Sequence, residues 1–169
     1  EEIKEIAEYE APLLEVIVEI EKDILEEEIL MLELIISSKD VNSAEYKEIK
    51  KEIIKLEKET NKNILKCQEL ALKAANHADK EKLKKQYSAV AKVCKKFEQE
   101  QKIFEKHLKE FENHLESSQF KNIDSEKKMI LKELEIMDHQ VVNLVDEMDK
   151  LSHGLAVQAE KDEESVLLT

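Results

Sequence analysis

The sequence has no Trp and no Arg, one Gly and one Pro, so all 27 cations are Lys. One glycine in 169 residues leaves little scope for the sharp turns on which phosphate loops and nucleophile elbows are built. Neither motif is present, and no catalytic residues are expected. Two cysteines are too few for a Cys-rich zinc site. With no signal peptide and no Asn-X-Ser/Thr site, a reducing, cytosolic setting is expected. Long apolar runs are missing too. The most apolar stretch, Ile29 to Ile36, contains Glu33 and is too short to span a bilayer. A membrane anchor is expected only in a segment outside this chain, which opens on Glu1 rather than Met and reads as a piece of a longer protein.

What remains is helix. Charged residues make up 40% and hydrophobic residues 41%, the composition of long solvated helices packed on one another. No strand-like alternation occurs. The net charge of −13 excludes nucleic acid and anionic membrane surfaces as natural partners. The charge is uneven: residues 1–36 carry 13 acids and 2 Lys, and residues 117–169 carry 12 acids and 6 Lys. The middle is mildly basic, with 7 acids and 9 Lys over 37–78 and 8 acids and 10 Lys over 79–116. This pattern favours an acidic last helix lying on the two basic ones.

Periodicity predicts four helices. The first begins near Ala11, with Pro12 in its first turn and Leu13, Ile17, Ile20, Ile24, Leu30, Met31 and Leu34 on one face. Asn42 and Glu45 resemble a capping box for the second. Its seam reads Tyr46, Ile49, Ile53, Leu56, Thr60, Asn63, Cys67, Leu70 and Ala74. Asp79 is placed as the N-cap of the third. That helix has the seam Leu83, Tyr87, Val90, Cys94, Phe97, Gln101, Phe104, Leu108, Phe111 and Leu115. The fourth is capped by Asp124 or Ser125. Its inward positions are Leu134, Met137, Val141, Leu144, Met148, Leu151, Leu155 and Gln158, steps of three and four without a slip. So narrow a seam needs a partner to bury it, since ordering its backbone costs about 1–2 kcal/mol per residue.

The fold class is therefore all-α: an antiparallel up-down three-helix bundle over residues 1–116, a linker at 117–124, and a long heptad helix over 125–169 packed on the bundle in a four-helix arrangement. Cys67 and Cys94 fall at nearly one level of antiparallel helices. They read as two buried thiols rather than a redox pair, on the compartment argument. His77, His107, His114, His139 and His153 lack the Glu-x-x-His spacing of di-iron bundles and read as solvated. The carboxylate clusters Glu26–Glu28 and Asp162–Glu164 read as solvated surface. No metal or cofactor is expected. Periodicity leaves Gln158 open, as a polar layer that sets register or as the solvated last turn of a seam ending at Leu155.

Three long antiparallel helices, a break, and a heptad helix reaching a glutamine resemble the syntaxin family of SNARE proteins. Leu56-Glu-Lys-Glu-Thr60-Asn-Lys-Asn-Ile64 is similar to the family's Leu-x-Lys-Glu-Thr-x-Lys segment. Tyr87-Ser-Ala89, Phe97-Glu-Gln and Gln101 resemble its third helix, and Gln158-Ala159-Glu160 resembles its central Gln-Gly-Glu. The resemblance covers roughly residues 11–160. It implies a vesicle-trafficking protein at the cytosolic face of an intracellular membrane, in which an Habc-like bundle restrains assembly of the last helix. The implied partners are other SNARE helices and an SM-family (Sec/Munc-type) protein. Gln158 would be the ionic-layer glutamine. Two departures stand against this. The family continues its apolar layers past the glutamine, where this chain has Asp162 and Ser165, and the linker after Leu115 is short. The competing class is a structural helical subunit of a larger assembly, which needs no switch.

Overall fold

The computed structural model describes Lys4 and residues 6–167, apart from the side chains at 158, 159 and 162–167. Four helices form an up-down-up-down bundle: α1 (Ala11–Ser37), α2 (Ala44–His77), α3 (Glu81–Glu116) and α4 (Ile123–Leu167). A π-helical turn, Ile6–Glu10, leads into α1. No strand occurs among the described residues. Each helix packs on its chain neighbours, and α4 closes the ring against α1. The short connections leave no alternative to antiparallel neighbours.

The caps refine the boundaries. Pro12 lies in the first turn of α1, directly after the π-helical turn. Ser43, not Asn42, caps α2; its Oγ accepts from Tyr46 N at 3.1 Å. Asn42 instead donates its backbone N–H to Asp40 Oδ1 in the connecting turn. Lys80, not Asp79, is the N-cap residue of α3, without a side-chain cap bond. The fourth helix starts at Ile123, ahead of both expected caps, with Glu126 N bonded to Asn122 O.

The end of α3 is a Schellman turn. Gln119 N donates to His114 O at 2.9 Å and Ser118 N to Leu115 O at 3.3 Å, with Ser118 at a φ of 56°. A Cβ is disfavoured in that left-handed region. Replacing Ser118 by Gly should raise stability by about 0.5–1 kcal/mol, read as a higher urea midpoint at unchanged m-value.

One core runs through all four helices. All ten inward residues predicted for α3 are buried, Leu83 to Leu115. On α2 seven of the nine expected seam residues are buried; Ile64 and Ala71 take the places expected for Asn63 and Leu70, while Cys67 and Ala74 stay in register. On α1, Leu30 is only partly buried, and Asp23 and Glu27 are buried instead. Solvated surface is therefore the wrong reading of Glu27, which is 4% exposed between the Ile24 and Met31 layers.

Cys67 and Cys94 meet as their seam positions require, α2 against α3. The structure joins them in a disulfide, with Cα atoms 6.4 Å apart, inside the span such a bond bridges. The expectation of two separate thiols is corrected accordingly.

Candidate functional site

The helix expected to carry the function is α4, and its seam faces inward. Leu134, Met137, Val141, Leu144, Met148, Leu151 and Leu155 are all buried, between 0% and 3% exposed. Ile130 extends the run one layer earlier, fully buried. Gln158 falls within the helix, but its side chain lies outside the described residues, as do those of Asp162 and Ser165. The seam does not lie in the groove between α2 and α3. It packs on α3 and, less extensively, on α1. The chain reverses at each short turn, so the fourth helix takes the open corner of the square, between α3 and α1. Charge did not choose that corner, since α1 is acidic.

Polar clamps hold α4 to α3. His107 Nδ1 bonds Glu133 Oε1, and His114 Nδ1 bonds Glu126 Oε1 at 2.5 Å. Each contact sets a ring nitrogen of α3 against a carboxylate oxygen of α4. Both histidines are half-buried between the helices, which corrects the expectation of solvated rings. His77 is exposed and stacks on Tyr9, with ring centroids 6.0 Å apart, while His139 and His153 are exposed. Farther along α4, Gln86 Nε2 donates to Lys150 O at 3.0 Å. Gly154 makes room for that amide: a Cβ there would lie 3.0 Å from Gln86 Oε1. Ser152 Oγ donates to Glu10 Oε1 and ties α4 to the turn before α1.

A second polar assembly sits in the middle of the bundle. Gln101 Nε2 on α3 donates to Glu27 Oε1 on α1 at 2.8 Å. Asn63 Nδ2 on α2 donates to Asp23 Oδ2 at 2.8 Å, and Asn61 Nδ2 to Glu105 Oε1 at 2.5 Å. Burial raises the Glu27 carboxyl to about 8, against the lowering effect of the Gln101 bond, with Glu57, Glu105 and Asp23 adding repulsion. Burial likewise raises Glu57 to about 7, helped by Glu105 and Glu112. Glu27 Oε2 and Gln101 Oε1 are buried without a hydrogen-bond partner among the described residues.

Among the described residues, no group of three His, Cys, Asp or Glu side chains could hold a metal ion, and no helix is long and apolar enough to cross a membrane. The clamps escaped sequence reading because their partners are 26 and 12 residues apart on different helices. Only the antiparallel register of α3 and α4 reveals them. Comparison with protein-family models, characterised proteins and solved structures finds no match for this chain.

Proposed function

We propose that this chain is a syntaxin-like SNARE protein of vesicle trafficking, in a closed state where the α1–α3 body withholds the α4 seam from partner helices. The observation that supports this is the complete burial of seven successive heptad layers, Leu134 to Leu155, behind clamps that are polar and reversible. Opening exposes an apolar stripe of the kind that other SNARE helices cover. An SM-family protein would act on the closed or the opening bundle, and membrane attachment would come from a segment outside this chain. A second reading, a permanent structural subunit, is favoured by the single core that α4 shares with the other three helices.

The full chain and its His107→Ala/His114→Ala variant distinguish the two. Each deletion leaves a glutamate acceptor unpaired, buried at Glu133 and half-buried at Glu126, at about 1–3 kcal/mol for the buried one. For a switch, the double variant should capture soluble SNARE-motif helices at least about tenfold more tightly than wild type. Its α4 amides should also exchange through an opening less costly than global unfolding. Equal capture, with α4 exchanging only on global unfolding, would select the structural subunit.

A further inference from the structure

The first helix is apolar on two sides. Its inward face fills the core, yet Val18, Leu25, Ile29, Leu32 and Ile36 point outward and are 51% to 66% exposed. Their steps are seven, four, three and four, and Lys22 fills the vacant place in the seven. This is a second a/d seam, on the side of α1 away from the bundle. Scattered exposed apolar residues need no explanation, but five in heptad register along one helix do.

The flanks of that seam identify what covers it. With Leu25 and Leu32 at d, the e and g positions are Glu19, Glu21, Glu26, Glu28 and Glu33, and only the last, Ile35, is not acidic. Neighbouring helices add to the same field. Glu52 and Glu59 of α2, with the single cation Lys55 between them, line a groove of about 400 Å³ beside Ile29, and Glu135 and Asp138 of α4 line one of about 260 Å³ beside Leu32. Burial and Asp138 both hold the Glu28 carboxyl above its ordinary value. A second copy in the same register would set glutamate against glutamate in either orientation. Other faces of the chain do not match either. Elsewhere on the helices the large exposed apolar residues are Ile54, Leu65 and Leu72 on α2, Ile103 alone on α3, and Leu131 and Val142 on α4; Lys58, Asn61 and Gln68 on α2, and Glu135 and Asp138 on α4, hold the steps between them, so neither helix has a continuous apolar seam.

We propose that the outward face of α1 is a docking site for a partner helix whose own heptad seam is flanked by Lys or Arg. Apolar knobs of the partner pack between Val18 and Ile36, and its basic flanks meet the glutamates on either side. Lys22 fixes the register, because the partner must place an acidic or amide side chain opposite it. Glu135 and Asp138 of the docked α4 stand at one edge of this site, so the site is complete in the closed bundle.

The test uses the full chain and two synthetic four-heptad peptides with Leu and Ile at a and d, one with Lys and one with Glu at e and g. The Lys-flanked peptide should bind, and raising salt from 50 to 500 mM should weaken it at least about tenfold as the charges are screened. The Glu-flanked peptide should not bind. Leu25→Gln/Ile29→Gln/Leu32→Gln keeps the charge and alters only exposed positions. It should keep wild-type helicity and lose binding about tenfold or more. Glu26→Gln/Glu28→Gln/Glu33→Gln should leave residual binding with a shallower salt dependence. The proposal fails if the Lys-flanked peptide binds the apolar variant as well as wild type, since net charge alone then draws it. It fails if neither peptide binds. It also fails if wild type sediments as a dimer that the apolar variant dissolves, which would make a second copy the occupant.

Discussion

Replacing Glu27 by Gln should raise the unfolding midpoint at pH 8 and remove most of the pH dependence between pH 5 and 8. The folded-state carboxyl titrates near 8, raised by burial, against an ordinary value of 4.5. Between those values the native state holds a proton that the unfolded state has released. Stability contributed by the neutral acid is therefore fully present below pH 4.5 and is lost as pH rises through 8. The ceiling is roughly 4–5 kcal/mol, which in a chain of this length is about 10 °C or more. Glutamine keeps the shape and forms an amide pair with Gln101 at every pH. At pH 5 the variant should match wild type within about 2 °C, since both layers are then neutral. Glu57 and Asp23, also raised by burial, leave a smaller slope of the same sign. Thermal melts at pH 5, 6.5 and 8 on both proteins decide it. A wild-type midpoint that climbs with pH would show Glu27 to be ionised and paired.

Truncating Leu144, Met148 and Leu151 together to Ala should undock α4. Each is at most 2% exposed, and each truncation removes about 2–5 kcal/mol of core packing. The sum approaches the whole stability of an ordinary domain, about 5–15 kcal/mol. Amides of α4 from Leu134 to Leu155 should then exchange near the rate of an unprotected helix. Those of α2 and α3 should slow exchange relative to α4, because those helices keep each other and the Cys67–Cys94 link. Hydrogen exchange resolved by helix reads this directly. Protection of α4 equal to that of wild type would refute its docking on α1 and α3.

Periodicity made the bundle readable, and its failures have physical causes. On α3 a strict a/d pattern from Leu83 to Leu115 identified every buried layer. On α2 the same counting missed at Asn63 and Leu70 alone. There one extra residue enters the step from Thr60 to Ile64, so the order of three- and four-residue steps reverses while Cys67 and Ala74 keep their places. Glu27 occupied a seam step in plain view, but a carboxylate between Glu26 and Glu28 invites the reading of solvated surface. Its burial follows from Gln101, which lies 74 residues away and meets it only in the folded bundle. The outward seam of α1 was visible as the apolar run Ile29 to Ile36. Assigning one face to a helix that has two left Ile29, Leu32 and Ile36 without a role.

The connection after α3 also limits how the last helix can behave once free. Only residues 117–122 separate Glu116 from Ile123, and six residues span at most about 20 Å. A released α4 would stay beside its own groove at an effective concentration on the order of millimolar. A partner helix present at micromolar levels would therefore have to bind about a thousandfold better than the groove does, roughly 4 kcal/mol. Lengthening this connection with flexible residues would lower that threshold without altering a single packed side chain.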